Sequence, residues 1–370
     1  MNQPVRVLVV DDSALMRKLI PQILRTDNSI EVVGTAMDGN FGLKKIEELK
    51  PQVVTLDLEM PGMGGIDMLK EIMRRHHLPV IVVSSHSTQG ASVTLKALSL
   101  GAFDFVAKPQ DVSARMPEIA RELIAKIKAA AQSRFGRIGP IPEPATITPE
   151  KQAAVTHSVP TRVFAIGIST GGPQALQYLL PQLPSDFPGT ILIVQHMPEG
   201  FTSMFAKRLD EICSIRVKEA QSGDLLEAGR ALISTGNRHL KAKRLPLGDV
   251  AVLSDDPRVN GHRPSCDILF RSVADEYGDK TVGIIMTGMG DDGAEGLGAV
   301  KAAGGLTIAQ SEDSCVVFGM PKTAIERGYA TRVVPLDALA NTMMAVCTQD
   351  RRNTGIGDAG ANGKSAGAGR

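Results

Sequence analysis

The sequence predicts two α/β domains in tandem, each a doubly wound sheet of parallel strands. Short Val- and Ile-rich runs alternate with helical patterns twice, once before about residue 130 and again from Arg162 to about Cys347. Between them Pro140, Pro142, Pro144, Pro149 and Pro160 sit among Gly, Thr and Ala without any apolar period, the composition of a semi-extended linker. A chain of 370 residues also exceeds one typical core. The expected division is therefore a first domain over 1–130, a linker over 131–160, a second domain over 161–348 and a Gly/Ala-rich, disordered tail over 349–370.

In the first domain Val5–Val10, Ile30–Ala36, Val53–Leu56, Val80–Ser84 and Phe103–Ala107 read as short buried strands. Ala14–Arg25, Gly42–Leu49, Met68–Arg75 and Ser92–Leu100 read as the helices between them, and Pro117–Ala131 as the closing helix. In the second, Val163–Ile166, Ile191–His196 and Val282–Met286 are strand-like, and Gln174–Leu183 is helical. Ala231–Ser234, Leu240–Leu245 and Val250–Leu253 read as a β-meander inserted into the α/β sheet.

Bulk properties narrow the function classes. A net charge of +1 gives no broad electrostatic case for nucleic acid or an anionic membrane. A nucleic-acid-binding output would also be smaller, mostly helical and basic on one face. No apolar run approaches the roughly 20 residues that span a bilayer. The start, Met1 to Arg6, leads straight into a strand without the regions of a signal peptide. Cys213, Cys266, Cys315 and Cys347 are scattered, which suits reduced, packed thiols. A cytoplasmic protein without direct membrane insertion is expected.

In the first domain, polar residues gather where strands end. Asp11 and Asp12 follow the first strand, Asp57 the third, Ser84 closes the fourth and Lys108 follows the fifth. In a parallel doubly wound sheet all of these fall at the carboxyl edge. Three converging carboxylates repel one another unless a cation joins them, and a hard ion such as Mg²⁺ fits. Asp57 is then placed to attack a phosphoryl group, with Lys108 neutralising its oxygens. Each acid alone is an ordinary cap or loop end; it is their coordinated placement on successive units that argues for a site.

Val9-Val10-Asp11-Asp12-Ser13, Thr55-Leu56-Asp57-Leu58-Glu59-Met60-Pro61-Gly62-Met63, Val83-Ser84-Ser85 and Val106-Ala107-Lys108-Pro109 resemble a two-component receiver domain, of flavodoxin-like fold, over roughly 4–127. The resemblance implies that Asp57 is the phosphoacceptor. Asp12, Asp57 and the Glu59 carbonyl would be Mg²⁺ ligands, with Asp11 acting through water. It further implies that Ser84 and Phe105 are the switch positions, that a histidine kinase is the phosphodonor, and that the Lys108–Pro109 bond is cis.

The second domain opens on Gly167-Ile168-Ser169-Thr170-Gly171-Gly172-Pro173, between a strand-like and a helix-like run. A serine at a glycine-flanked strand-to-helix turn projects its hydroxyl from the sheet, and the helix start offers free N–H groups to an oxyanion. A Gly-rich packing turn or a phosphate loop has the same spacing. His196 ends the next strand, and Asp292 follows the strand at 282–286, so a Ser-His-Asp set can assemble at one sheet edge. Gly288-Met289-Gly290-Asp291-Asp292-Gly293 is also a dinucleotide-type G-x-G-x-x-G, with Glu312 about 20 residues on. Asp291 and Asp292 beside a pyrophosphate make that reading electrostatically poor.

Gly167 to Pro173, Val194-Gln195-His196-Met197-Pro198, His262-Arg263-Pro264-Ser265 with Asp267, and Met286 to Ala294 resemble the chemotaxis protein-glutamate methylesterase family over about 161–348. The resemblance implies a triad of Ser169, His196 and Asp292, with the backbone N–H groups of Thr170 and Met289 as candidate oxyanion donors. The chain order differs from that of α/β-hydrolases, so a distinct doubly wound fold is expected. His262 and Arg263 are either groove residues or a structural ion pair. The implied reaction is hydrolysis of glutamate γ-methyl esters on chemoreceptors, with deamidation of receptor glutamines by the same chemistry. No cofactor is expected for the esterase. A phosphorylation-dependent scaffold with little turnover is the alternative.

Overall fold

Strands that are apolar on both faces need cover on both sides, and helices supply it in each domain. The computed structural model describes residues 3–85, 87–108, 116–133 and 159–353. Most of the expected linker, the Lys108–Pro109 bond and the tail beyond residue 353 lie outside the described residues.

The first domain runs β1 (Val5–Val10), α1 (Ala14–Leu24), β2 (Ile30–Ala36), α2 (Gly39–Leu49), β3 (Val53–Leu56), α3 (Gly65–Arg75), β4 (Val80–Ser84), α4 (Thr88–Ser99), β5 (Asp104–Ala107) and α5 (Met116–Gln132). Its five strands are all parallel in the order β2-β1-β3-β4-β5. The order reverses beside β1, so the ends of β1 and β3 face the crevice in which such sheets build sites. Helix starts are set locally: Ser13, Asp38 and Ser87 cap α1, α2 and α4 by accepting the N–H of Met16, Phe41 and Gly90. α3 begins against the Asp57 loop, where a Cβ on Gly65 would lie 2.2 Å from the Asp57 carbonyl oxygen.

The second domain runs β6 (Val163–Ile168), α6 (Gly172–Leu179), β7 (Thr190–Gln195), α7 (Phe201–Ile212), β8 (Arg216–Glu219), β9 (Arg230–Ile233), β10 (His239–Lys243), β11 (Val250–Ser254), α8 (Cys266–Tyr277), β12 (Thr281–Ile285), α9 (Ala294–Ala302), β13 (Leu306–Gln310), α10 (Met320–Glu326), β14 (Arg332–Val334) and α11 (Leu336–Asn353). Seven strands form one parallel sheet in the order β14-β13-β12-β6-β7-β9-β8. β6, β7 and β12, which carry the site at their ends, are buried at every residue.

Two expectations need correction. The meander is a two-stranded hairpin, β10 paired antiparallel with β11. Its supposed first strand, β9, lies in the main sheet, parallel to β7 and β8. A short apolar run reads the same in either setting, because pairing partners are a tertiary property. Likewise α11 continues to Asn353, past the domain end expected at 348.

The domains meet through α4 and β5 of the first and α6 and α7 of the second. Phe105 stacks on Phe201 with ring centroids 4.7 Å apart. Both rings belong to one buried apolar cluster that runs from the first sheet into the second domain. Gln174, at the start of α6, donates a hydrogen bond to the Ala102 carbonyl. Val316 and Val317, from the loop before α10, pack on the other buried cluster of the first domain.

Candidate active site

Two sites sit at the carboxyl edges of the two sheets. In the first domain Asp11, Asp12 and Asp57 bring carboxylate oxygens within 4.8 Å of one another. Lys108 reaches across, with Nζ 2.6 Å from Asp57 Oδ2 and 3.2 Å from Asp11 Oδ2. Burial pushes the Asp11 carboxyl up and the neighbouring Asp57 charge adds to this, against the opposing pull of Lys108. Burial works against the Lys108 ammonium, but Asp57 and Asp11 outweigh it and hold its pKa above the ordinary lysine value. Asp11 Oδ2 is buried and meets only the Lys108 ammonium, without a well-directed hydrogen bond among the described residues. Three clustered carboxylates faced by a single ammonium leave negative charge over, which suits a hard divalent cation, so the residues fit Mg²⁺.

Ser84 and Phe105, the residues expected to switch, lie at the end of β4 and within β5. The buried Ser84 hydroxyl accepts from Thr94 Oγ1 at 2.5 Å, which ties the end of β4 to α4. Phe105 is buried in the interdomain stack, and Lys126 donates to its carbonyl at 2.6 Å. The Glu59 N–H donates to Asp57 Oδ1 at 3.1 Å, which fixes the loop after the acid.

In the second domain Ser169 follows β6 at a turn completed by Gly171. Gly171 holds φ +78°, and a Cβ there would collide with the Val316 side chain. β7 ends beside it, so His196 lies next to the serine loop, and its N–H donates to the Ile168 carbonyl at 3.2 Å. β12 pairs with β6 on the other side and delivers the loop that carries Asp292. His196 Nε2 is 2.8 Å from Asp292 Oδ2. The three predicted triad residues thus come from three adjacent strand ends.

Asp292 is fully buried and fully engaged. Oδ1 accepts the Ser265 hydroxyl at 2.7 Å and the Asp267 N–H at 3.3 Å, while Oδ2 accepts the Cys266 N–H at 2.7 Å as well as His196. Burial alone would raise its pKa, but the His196 hydrogen bond and charge, with Ser265 and Cys266, outweigh it and hold the carboxyl well below the ordinary range. An ionised acid on Nε2 leaves Nδ1 of His196 as the nitrogen for the serine proton. No hydrogen bond joins the Ser169 hydroxyl to a partner among the described residues. Such bonds commonly tighten only when substrate is bound.

Neither of the proposed oxyanion N–H groups, on Thr170 and Met289, donates to any described residue. His262 stacks on His196, ring centroids 4.3 Å apart and 14° from parallel. Burial, together with the nearby His196 charge, lowers the His262 pKa. Arg263 donates to Asn237 Oδ1 and to the Asp255 and Asp256 carbonyls, which makes it a brace for the 255–263 segment. Asp291 is exposed and lies 3.7 Å from Arg327. Of the two acids between the last two glycines of the G-x-G-x-x-G loop, Asp292 is thus committed to the imidazole and Asp291 faces Arg327.

Sequence reasoning missed several supports. Ser265 and Cys266 hold Asp292 from the start of α8, and Gln195 donates to the Ser169 carbonyl at 3.1 Å. A polar residue closing an otherwise apolar buried strand, as Gln195 closes β7, was the available signal.

Comparison with known proteins gives the family. Residues 164–343 match the CheB methylesterase family model, and residues 7–119 match the response regulator receiver domain model. A curated relative from Koribacter versatilis, protein-glutamate methylesterase/protein-glutamine glutaminase 2, is 62% identical over 94% of this chain and 98% of its own length. A Pyrococcus horikoshii relative of the same name, without the numeral, is 44% identical over 93% and 94% of the two chains. The crystal structure of the Thermotoga maritima CheB methylesterase catalytic domain is 40% identical, with a TM-score of 0.50, covering 51% of this chain and 100% of that one. With a relative this similar along nearly its whole length, and with both domain models matched in order, this chain belongs to the CheB family of receiver-linked protein-glutamate methylesterases.

Proposed function

We propose that the chain hydrolyses γ-glutamyl methyl esters on chemoreceptors, releasing methanol, under control of phosphorylation at Asp57. The observation that carries the reaction is the buried, four-times hydrogen-bonded Asp292 on His196 Nε2, with Ser169 on the adjacent strand end. The names of the relatives support the substrate class.

In this reading Ser169 Oγ attacks the ester carbonyl carbon while His196 Nδ1 takes the hydroxyl proton. The imidazolium donates through Nε2 to Asp292, and the oxyanion lies on the N–H groups of Thr170 and Met289. His196 returns the proton to the departing methoxide oxygen as the C–O bond breaks, which frees methanol and leaves an acyl-serine. Water, deprotonated by His196, then attacks the acyl carbon and releases Ser169 and a glutamate carboxylate. A glutamine side chain follows the same path with ammonia as leaving group.

Control would begin at the other strand edge. A chemotaxis histidine kinase donates the phosphoryl group to Asp57. Asp11, Asp12, Asp57 and the Glu59 carbonyl would hold Mg²⁺, which supplies charge neutralisation for the phosphoryl oxygens when bound. Lys108 pairs with the remaining oxygens. Ser84 would leave Thr94 for the new phosphoryl oxygen, loosening α4 and Phe105 where they pack on α6, α7 and Phe201. The unphosphorylated receiver thereby restrains the esterase, a contact that the α4 and Phe105 packing supports.

The test is methanol release from methylated chemoreceptor membranes by the full chain, with Ser169→Ala as control. Release that the substitution abolishes supports the esterase. Stable receptor binding without release would favour a scaffold.

A further inference from the structure

The two N–H groups offered to the oxyanion are aimed from behind. A trans peptide points its C=O and its N–H in opposite directions. The Thr170 N–H shares its peptide with the Ser169 carbonyl, which accepts Gln195 Nε2 at 3.1 Å and the Gly172 N–H at 2.8 Å. The Met289 N–H shares its peptide with the Gly288 carbonyl, which accepts the N–H groups of Gly319 at 3.1 Å and Met320 at 2.9 Å. Thr287 ties these two loops together. Its hydroxyl donates to the Thr170 carbonyl at 3.0 Å and accepts the Val317 N–H at 3.0 Å. Its own carbonyl accepts the Ser169 N–H at 3.0 Å, and its N–H donates to Gln310 Oε1 at 2.9 Å.

Gln195 is 2% exposed and Thr287 is 0% exposed. Gln195 Nε2 also lies 3.2 Å from the His196 carbonyl, so one amide holds the backbones of nucleophile and base to each other. A Cβ on Gly172 would lie 2.0 Å from Gln195 Oε1, so the glycine admits the amide to this position. We propose that Gln195 and Thr287 are positioning residues that fix the oxyanion donors of Thr170 and Met289. The assignment rests on Ser169 being the nucleophile. Ground-state ester, whose carbonyl is a weak acceptor, gains little from such aiming; the tetrahedral oxyanion gains most. Loss of either residue therefore lowers kcat and leaves KM nearly unchanged.

The experiment measures methanol-release kinetics of the full chain at saturating Mg²⁺ and phosphodonor, with thermal midpoints to verify folding. Thr287→Val keeps shape and removes the hydroxyl, Thr287→Ser keeps the hydroxyl, and Gln195→Glu keeps shape but replaces the donor with a carboxylate facing two carbonyls. One oxyanion donor is worth roughly 10²–10³ in rate, and misaiming should forfeit part of it. The expected result is a kcat lower by about 10- to 100-fold in Thr287→Val and Gln195→Glu, KM within about twofold, and Thr287→Ser close to wild type. Wild-type kcat in both impaired variants, a change confined to KM, or equal losses in Thr287→Ser and Thr287→Val would overturn the proposal. A variant that fails to fold is replaced by Gln195→Asn, whose shorter amide cannot span both carbonyls, read by the same split. Activity surviving in Ser169→Ala would instead remove the esterase reading beneath it.

Discussion

The two sheet edges of this protein use carboxylates in opposite ways. Asp11 in the first domain is buried with an oxygen that meets only the Lys108 ammonium, close to two other acids, and its pKa is raised. Asp292 in the second is just as buried, yet four donors saturate it and its pKa is lowered. The topology is shared: parallel sheets, acids on the loops after strands, helices starting nearby. What differs is the number of donors per carboxylate oxygen. An under-satisfied cluster is prepared to take a cation and a phosphoryl group, whereas a saturated acid is prepared only to orient its histidine.

The largest effect should come from disturbing the saturated acid. Asp292→Asn places an amide NH₂ among four donors, so at least two bonds are lost and the His196 tautomer is no longer fixed. Methanol release should fall by about 10⁴-fold in kcat, and chemical denaturation should show a loss of about 3 kcal/mol. The equivalent change on the other edge, Asp57→Asn, should leave the unstimulated esterase rate as it is and remove its response to phosphodonor altogether. If both acids behaved alike in these assays, the contrast would be wrong.

Metal withdrawal sharpens the same contrast. Chelation of Mg²⁺ should abolish phosphodonor stimulation, and the basal rate of methanol release should stay unchanged if the esterase works without a cation. A basal rate that fell with chelation would place a metal in the esterase as well.

The pH dependence of stability separates the edges further. Because the folded pKa of Asp292 lies below its unfolded value of about 3.9, its contribution is fully present above that value and is lost as pH falls through the folded pKa. The difference in thermal midpoint between wild type and Asp292→Asn should stay flat from about pH 8 to about pH 5 and shrink below about pH 4. A gap that grew on acidification would contradict the assigned sign.

The smallest expected effect concerns the contact between the domains. Phe201→Ala removes the partner of Phe105. Basal methanol release should rise by about fivefold, the lower end of usual coupling between sites, and phosphodonor stimulation should shrink by a similar factor.

Much of this was legible in the sequence, for definable reasons. Strands buried on both faces leave unbroken Val/Ile runs, so β1, β3, β4, β6, β7 and β12 could be read to within a residue or two. Residues just past those runs had to share an edge, which is why Asp11, Asp57, Ser169, His196 and Asp292 could be grouped before any coordinates. The resemblance to a family then distinguished an esterase turn from a phosphate loop. Pairing was not legible: Ala231 to Ile233 carries nothing that distinguishes a strand of the main sheet from a strand of a hairpin. Nor were the supports of the triad, because Ser265 acts on the Asp292 carboxylate, and Gln195 and Thr287 on backbone carbonyls, all far away in sequence. The Phe105–Phe201 stack is a contact between domains, which no local pattern encodes.

Above all, the under-satisfied edge is expected to govern the saturated one. The most direct measurement is the initial rate of methanol release from methylated chemoreceptor membranes by the full chain, before and after a small phosphodonor with Mg²⁺, in wild type, Asp57→Asn and Ser169→Ala. Stimulation in wild type, an unstimulated but active Asp57→Asn, and no release from Ser169→Ala are expected if the first edge controls the second. Equal stimulation of Asp57→Asn, or a wild-type rate indifferent to phosphodonor despite phosphorylated Asp57, would contradict it.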